Sequence, residues 1–410
     1  MSHLIADKLS SRYALLALFA SLFLLFTPFE QSGPHPTMFP KYFAAGAGMF
    51  MLAPLVIIKQ MSIRMAAIMI SLAVLTILFH TIVIKPVPAQ FTLLILANGA
   101  LALMLYEASY RWRKEFVISV SSLLLINAIF IIVQAVLFYV VTHSIFDFHK
   151  ALFGSDSRFA EDYLNIARFS GIQVEPGTYA NYIGCLTAIL LLVAEFSARI
   201  LWIAFLAVLS IFLTNSGSSV YFVPVLIALM AYLWRSKIRM VHLLVLIVAI
   251  FAYLFFSGVL NHLEDRFFEH DDGSLSHRVE GMHAYMTQSI EEKFFGVGFG
   301  SDPCVRCYYQ DIGVAFNLVT RGGALVTLAL VLILARSVAV NGPILAIILF
   351  LIPLNEKMFF YEAPIWLFLL LSSTSLRASP MQLSDASASR RPAGIFMQDW
   401  GVPNNWWLSS

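Results

Sequence analysis

The chain has 410 residues, of which 60% are hydrophobic and 12% are charged, and its mean hydropathy is +0.81. Soluble domains contain about 45–50% apolar and about 25% charged residues, so this composition excludes a water-soluble globular protein. The net charge of +2 gives no indication of a nucleic-acid partner. Because one membrane-spanning helix needs about 20 apolar residues, the apolar fraction is sufficient for about twelve spans.

Apolar runs of helical length follow one another along the chain and predict an all-α polytopic membrane protein with about twelve transmembrane helices. The first run follows Lys8 and Arg12 and precedes no small-residue cleavage site, so we expect an uncleaved span. We predict a transmembrane domain at 1–376 and a disordered cytoplasmic tail, rich in Ser, Pro and Ala, at 377–410. In chain order the apolar runs are 13–29, 42–58, 65–84, 91–106, 116–141, 179–194, 200–213, 220–234, 241–256, 312–335, 344–354 and 358–371.

The basic residues are distributed unequally between the two predicted sides of the membrane. With a cytoplasmic N-terminus, fifteen basic residues lie in the inner loops and ends, whereas the short outer loops contain only Lys41, Lys85 and Lys357. This asymmetry follows the positive-inside rule and predicts that both termini are cytoplasmic. It also supports the number of spans, since one missed helix would invert the side of every later loop.

Two long polar segments, 143–178 and 261–311, fall on the outer side of the membrane in this topology. Together they contain fifteen of the 24 acidic residues. We therefore expect the chemistry of the protein in these two segments. The second contains Cys304 and Cys307 as a lone CxxC pair, and because a zinc ribbon needs two such pairs, we predict no metal site.

The first polar segment ends in the run Arg-Phe-Ser-Gly-Ile-Gln-Val-Glu-Pro-Gly at 168–177, directly before an apolar helix. The Pro-Gly pair indicates a turn at the membrane surface, which would hold Arg168 and Glu175 near the bilayer boundary. A cation there is placed to meet a lipid-linked phosphate. The alternative interpretation is that Arg168 extends to lipid headgroups and that Glu175 caps the helix.

The second polar segment contains a helical pattern that begins near Ser274 or Ser276, either of which is a predicted N-cap, and ends at Lys293. Arg278 would then lie near a helix N-terminus, where the helix dipole also favours an anion such as diphosphate. Histidines such as His277 are more often surface residues than catalysts. The Gly-Val-Gly-Phe-Gly run at 296–300 follows no predicted strand, so it does not indicate a nucleotide site.

Ionisable residues also flank or interrupt the apolar run at 312–335, where Asp311 precedes it and Arg321 lies inside it. A charge at membrane depth is costly, so Arg321 is expected to face a water-filled cavity or a charged partner. The alternative is a structural ion pair with Glu356 or Glu362 on a neighbouring helix.

Together these motifs resemble the O-antigen polymerase and O-antigen ligase superfamily of bacterial membrane glycosyltransferases, whose polymerases are of the Wzy type. The resemblance covers mainly residues 168–334, and the chain departs from the family pattern at Ser216-Gly217, where an Arg commonly follows the Ser. The matching pieces are the Arg-Phe-Ser-Gly and Glu-Pro run at 168–176, the turn at 214–217, the Ser-His-Arg and Gly-Val-Gly-Phe-Gly run at 276–300, and Asp311 eleven residues before Gly322.

The resemblance implies a GT-C-like fold whose large periplasmic loop covers a lipid-linked sugar, in the bacterial inner membrane. It implies polymerisation of undecaprenyl-diphosphate-linked repeat units for O-antigen, capsule or exopolysaccharide, with lipid-linked donor and acceptor and with neither nucleotide sugar nor cofactor. A chain-length regulator protein is an expected partner, beside the membrane lipids. Arg168 and Arg278 match diphosphate-binding positions, Arg321 is the third predicted cation, and Asp311 stands where ligases carry a His-Asn pair.

The reaction predicted from these residues is an inverting, metal-independent displacement at the anomeric carbon. Guanidinium groups at the bilayer boundary would stabilise the departing diphosphate. The acceptor hydroxyl needs a base, for which we predict Asp311 first, then Glu175, then His277. Two alternatives stay open: a ligase that transfers glycan to lipid A-core, and a transporter of lipid-linked oligosaccharide or another solute.

Overall fold

A computed structural model describes residues 2–27, 39–58, 89–157, 167–236, 273–299, 313–356 and 362–374. Within these ranges all regular secondary structure is helical, as expected where lipid cannot satisfy backbone hydrogen bonds. All of them belong to one compact unit, and the predicted tail at 377–410 lies outside the described residues. The helices are α1 Ser2–Phe26, α2 Phe39–Ile58, α3 Ala89–Arg111, α4 Arg113–Val136, α5 Phe148–Phe153, α6 Pro176–Val193, α7 Ala198–Leu213, α8 Gly217–Trp234, α9 Gly273–Thr287, α10 Ile290–Phe295, α11 Val314–Asn341, α12 Pro343–Asn355 and α13 Ala363–Ser372.

Ten of the twelve predicted spans are helices in the described part of the chain. Six of these helices are long and apolar enough to cross a membrane: α1, α3, α4 with the π-helix Leu137–Thr142 that extends it, α6, α8 and α11. The other four, α2, α7, α12 and α13, are shorter apolar helices. The predicted spans at 65–84 and 241–256 lie outside the described residues. The prediction of an all-α polytopic membrane protein is thus confirmed.

The contacts of the helix termini define two ends of the described bundle. At one end, Gln173 donates from Nε2 to the carbonyl oxygen of Phe26 over 2.8 Å, and the backbone N–H of Val314 donates to the carbonyl oxygen of Glu356 over 2.8 Å. At the other end, Arg113 Nε donates to the carbonyl oxygen of Val193 over 2.9 Å. We call the first end, which holds residues 167–175, the loop end, and the second the opposite end. Which side of the membrane each end faces stays a prediction from the charge asymmetry.

Helix α6 is the central helix of the described bundle, since all of its residues except Gly177 and Thr178 are buried. It packs against α4, α7, α8 and α13. Gly184 permits the close approach of α8, because a Cβ at this position would lie 2.7 Å from the ring of Phe222. Helix α6 begins directly after Glu175, at the end of the first predicted site segment, 167–175. This segment is therefore attached to the central helix of the described bundle.

Candidate functional site

Residues 167–175 form a buried segment at the loop end, where the sequence predicts a turn at the membrane surface. Seven of these nine residues are buried, and the two that are half-buried are the charged ones, Arg168 and Glu175. Burial follows from the apolar side chains of Phe169, Ile172 and Val174, which are at most 1% exposed. The segment therefore offers two opposite charges to its surroundings from an otherwise enclosed backbone.

Gln134 of α4 holds the middle of this segment, which we call the arginine segment. Its Oε1 accepts hydrogen bonds from the backbone N–H groups of Ser170, at 3.1 Å, and Gly171, at 2.9 Å. Its Nε2 donates to the carbonyl oxygen of Phe146 over 2.7 Å. Gly171 has φ +58°, and a Cβ there would lie 3.3 Å from the side chain of Ile131, so this turn needs glycine. A fully buried amide with three partners makes the turn rigid.

His149 of α5, which is also fully buried, holds the arginine segment from a second direction. Its Nδ1 lies 2.8 Å from the carbonyl oxygen of Ile172, and its Nε2 lies 3.0 Å from Ser155 Oγ. Because a carbonyl oxygen only accepts hydrogen bonds, Nδ1 must carry a proton. Beside it, Lys150 Nζ lies 2.6 Å from Asp156 Oδ1, and this hydrogen bond raises the pKa of Lys150 above its ordinary value.

The turn between α7 and α8 holds the end of the arginine segment that carries Arg168. Asn215 has φ +49° and donates from Nδ2 to the carbonyl oxygen of Ala167 over 2.9 Å. Ser216 caps α8 by accepting from the backbone N–H of Ser219 over 3.1 Å. Two of the motifs that carry the family resemblance, distant in the sequence, are thus joined by a hydrogen bond one residue before Arg168.

We expect Asn215→Ala to destabilise the protein by about 1–2 kcal/mol, because it removes a buried hydrogen bond and strains a left-handed residue. Asn215→Gly removes the same bond without the strain and should cost about 1 kcal/mol. Thermal unfolding of the detergent-solubilised variants measures both effects. Equal stability of Asn215→Ala and the parent protein would contradict this account of the turn.

Glu175 occupies the N-cap position of α6, as the capping interpretation predicts, but its side chain makes no cap hydrogen bond to the backbone. Its Oε1 instead accepts from the hydroxyl of Thr178 over 3.1 Å. Pro176 at the first helical position needs no partner for a backbone N–H. The carboxylate is therefore held by a side-chain hydroxyl in the first turn of α6 rather than by the backbone of the helix.

The glycine-rich run of the second polar segment docks onto a break in α11. Gly323, at φ +59° and ψ −147°, interrupts the helix. The carbonyl oxygens of Thr320 and Arg321 accept instead from the backbone N–H groups of Val297 and Gly298, each at 3.0 Å. A Cβ on Gly323 would lie 2.3 Å from the carbonyl oxygen of Phe294. The glycines thus permit backbone-to-backbone contact between the loop and a membrane helix.

Arg321 belongs to this docking contact. Its Nε donates to Oδ1 of Asn317 over 2.7 Å, and its Nη1 lies 3.5 Å from the carbonyl oxygen of Gly298. The side chain and the backbone of Arg321 therefore both contact Gly298. These contacts support a structural role for Arg321, beside its predicted role in binding diphosphate.

Two acidic side chains are buried where α12 ends and α13 begins, at the loop end. Glu356 is 0% and Glu362 is 7% exposed. Glu362 accepts a hydrogen bond from the hydroxyl of Tyr182 on α6. Asn98 of α3 accepts from the backbone N–H of Ala363 over 3.2 Å and so caps α13. Buried ionisable groups at membrane depth are costly, and these two therefore mark the loop end as the polar end of the bundle.

The helix predicted from Ser274 or Ser276 to Lys293 is divided in the structure. Helix α9 already includes Gly273, so both serines lie inside it and the predicted N-caps are wrong. The helix is interrupted at Ser289. Ser289 Oγ accepts a hydrogen bond from the backbone N–H of Glu292 over 3.1 Å, and the Glu292 carboxylate accepts one from the backbone N–H of Ser289 over 3.0 Å. This capping box starts α10 as a separate helix.

The remaining predicted site residues are only partly described. His277 and Arg278 lie in α9, where the backbone is described but their side chains are not. Asp311 lies outside the described residues, as do Cys304 and Cys307. Among the described residues no group of three or more His, Cys, Asp or Glu side chains is placed to hold a metal ion. The structure thus connects the segment that carries Arg168 and Glu175 to the turn at 214–217 by a hydrogen bond. Separately, it brings Arg321 into contact with the glycine-rich run.

Sequence reasoning missed the residues that hold the arginine segment. Gln134 lies inside the apolar run at 116–141, and Asn98, which caps α13, lies inside the run at 91–106, so hydropathy counts both amides as part of a span. His149 lies in a polar segment without any local pattern. The signal that would have found the two amides is a polar residue that interrupts an apolar helix, since such a residue requires a buried partner.

Comparison with known proteins matches residues 202–313 to the family model described as O-Antigen ligase. The matched region begins in α7 and ends at Gly313, directly before α11. It includes the turn at 214–217, Arg278 and Asp311, whereas Arg168, Glu175 and Arg321 lie outside it. No curated protein matches the chain.

Proposed function

We propose that this chain, whose residues 202–313 match the O-Antigen ligase family model, is a member of the O-antigen ligase and polymerase superfamily and polymerises undecaprenyl-diphosphate-linked oligosaccharide repeat units. The family is one of membrane glycosyltransferases that assemble O-antigen and related polysaccharides. The helical bundle, with its apolar spans, supports this class. Within it, polymerisation from a polyprenyl-diphosphate donor is the finer proposal, in the inner membrane with both termini cytoplasmic.

The observation that carries the proposal is the half-buried Arg168 on an otherwise buried segment at the loop end. Three polar side chains from three other elements, Gln134, His149 and Asn215, hold this segment. A cation whose position is fixed before the reaction loses little free energy to reorganisation when charge develops on a leaving group. Guanidinium also suits phosphate because it donates two parallel hydrogen bonds.

The proposed reaction is one inverting displacement without a metal ion. The acceptor hydroxyl oxygen attacks the anomeric carbon of the donor, the bond from that carbon to the diphosphate oxygen breaks, and the hydroxyl proton passes to a base. Asp311 is the first proposed base, followed by Glu175 and His277. Arg168 and Arg278 bind the departing diphosphate, and Arg321 contributes from α11 as the third proposed cation.

Donor and acceptor are both lipid-linked in this proposal, and their diphosphates lie at the membrane surface. The position of Glu175 at the N-cap of α6 supports that depth. A chain-length regulator is the proposed protein partner, because a polymerase requires a signal that ends elongation.

Ligation of finished glycan to lipid A-core is the second candidate function. The observation that favours it is the description of the matching family model as O-Antigen ligase. The two reactions share a donor and differ in the acceptor, so binding of diphosphate does not separate them.

We expect the purified protein, incubated with undecaprenyl-diphosphate-linked repeat units alone, to produce a ladder of glycan lengths. A deletion strain should correspondingly carry surface glycan of a single repeat unit. Transfer to lipid A-core without any ladder, together with a deletion strain that accumulates full-length lipid-linked polymer, would establish the ligase instead. Unchanged glycan in both assays would contradict both candidate functions.

A further inference from the structure

Helices α9 and α10 carry a stripe of five exposed apolar side chains. Each of the five is close to half exposed or more, and Ile290 reaches 87%. Isolated apolar residues at a surface are ordinary, but three of these lie at helical spacing on one face of α9, and the other two lie four residues apart on one face of α10. The residues of the stripe are Val279, Met282, Met286, Ile290 and Phe294.

The circumference of α9 divides into three sectors. At about 100° per residue, the stripe residues Val279, Met282 and Met286 span about 60°. Among the residues of α9 whose side chains are described, the exposed polar ones, which are Glu280, His283 and Thr287, span about another 60° beside them. Gly281, Ala284, Tyr285 and Gln288 on the remaining side are buried or half-buried against the protein. The helix therefore has a protein-facing side, an apolar open side and a polar open side.

The two helices form one unit because Lys293 of α10 ties them together. Its Nζ donates to the carbonyl oxygen of Met286 over 2.8 Å and lies 5.9 Å from the ring centroid of Tyr285. The two parts of the stripe are thus held close together on either side of the break at Ser289.

The depth of this unit in the membrane follows from its docking onto α11. Helix α11 has 28 residues, and its part after the break, from Ala324 to Asn341, spans about 27 Å, close to the thickness of the hydrocarbon core. The preceding turns carry the polar residues Asn317, Thr320 and Arg321. Val297 and Gly298 hydrogen-bond to Thr320 and Arg321, so the residues that follow α10 lie at the boundary between hydrocarbon and headgroups.

The apolar surface of α10 also continues that of the membrane span. The carbonyl oxygen of Phe294 lies against Gly323, and two residues later Leu325 begins the exposed apolar face of α11. Phe294 itself is 60% exposed. A face that continues a lipid-facing helix surface at the hydrocarbon boundary is surrounded by the same lipid.

We propose that the stripe on α9 and α10 inserts into the outer part of the acyl-chain layer of the surrounding bilayer, so that this part of the second polar segment lies flat on the membrane. The occupant is bilayer lipid. The exposed charged side chains described on these helices are Glu280, Glu291 and Glu292, so the contact is apolar and does not depend on anionic headgroups.

This surface has a consequence that rests on the proposed function. Arg278 stands one helical turn before Met282 in α9. When Met282 is embedded, the backbone at Arg278 is held at the depth where a lipid-linked diphosphate lies. Membrane contact would then position the second proposed diphosphate-binding residue without any contact to the first.

The test uses the full protein in phosphatidylcholine vesicles whose lipids are brominated near the carboxyl end of one acyl chain. Met286→Trp and Val279→Trp place a fluorescent reporter in the stripe, and His283→Trp is the matched control on the polar sector. Emission from the parent protein, which has seven tryptophans, is subtracted. We expect bromine quenching of both stripe reporters, with a blue-shifted emission, and neither effect for His283→Trp. Replacing part of the lipid by phosphatidylglycerol should leave the quenching unchanged.

Equal quenching of stripe and control reporters, or none at any position, would overturn the proposal. Loss of quenching when undecaprenyl phosphate is added would also overturn it, because the stripe would then hold a polyprenyl tail. The measurement reports lipid contact alone, so its failure is distinguishable from a failure of the proposed glycan transfer.

Discussion

Replacing Arg168 by alanine is expected to lower the rate of glycan transfer by about two to three orders of magnitude, the effect of removing one fixed donor from a developing negative charge. The half-buried position of Arg168 on the arginine segment explains why the effect should be large. A cation held by a rigid backbone stabilises the departing diphosphate without being reorganised. Arg168→Lys keeps the charge and loses the paired donors, so its rate should fall between those of the parent and Arg168→Ala.

The control for this prediction is Arg199→Ala, which removes an exposed arginine at the opposite end of the bundle. Product ladders from purified protein give the rates, and thermal unfolding in detergent verifies that each variant is folded. We expect Arg199→Ala to match the parent protein in both measurements. Ladders of normal rate and length from a folded Arg168→Ala variant would remove Arg168 from the proposed diphosphate site.

The second large effect is expected for Gly323→Ala. The backbone of Gly323 lies in a region that only glycine adopts readily, where another residue costs about 1–3 kcal/mol. In addition, the new Cβ would lie 2.3 Å from the carbonyl oxygen of Phe294 and 2.5 Å from the backbone nitrogen of Gly296. Because both are backbone atoms, neither can move aside as the end of a flexible side chain could. We therefore expect a loss of more than about 3 kcal/mol in stability, or release of the glycine-rich run from α11.

Gly342→Ala separates backbone strain from this steric effect. Gly342 has φ +84° and ψ 161°, but a Cβ there would meet no atom within 4 Å. The Gly342 variant should lose only the strain energy, whereas Gly323→Ala should also become sensitive to proteolysis at 296–299. Thermal unfolding and limited proteolysis measure the two effects. Equal behaviour of the two variants would show that docking of the loop contributes nothing to stability.

The order of the ten apolar helices in the described part of the chain followed from the apolar runs, because lipid forces each crossing segment to satisfy its own backbone. The break in α11 did not follow, because a helix pattern continues through Gly323 in the run at 312–335. Only the approach of residues 294–298 makes the break favourable, by supplying donors to the carbonyl groups that it frees. Hydropathy contains no information about that partner.

In the candidate site, too, the sequence predicted some features and only tertiary contacts determined the others. The charges of Arg168 and Glu175 next to a span were visible in the sequence, and their depth near the membrane boundary stays a prediction from it. Burial of the residues between them was not, because it depends on Gln134, His149 and Asn215, which come from three other elements. The sequence analysis missed the capping box at Ser289. Its Ser-Ile-Glu-Glu pattern lies within an apolar periodicity that continues across it.

Composition and hydropathy alone dictate that this protein is a helical membrane bundle with its polar chemistry gathered at one end, because the cost of burying charge and backbone in lipid acts on each segment separately. Tertiary contact decided which charges the loop end presents, since a guanidinium group is fixed in place only by hydrogen bonds between elements far apart in the chain. Those bonds depend on the distances between packed helices, which no segment specifies by itself.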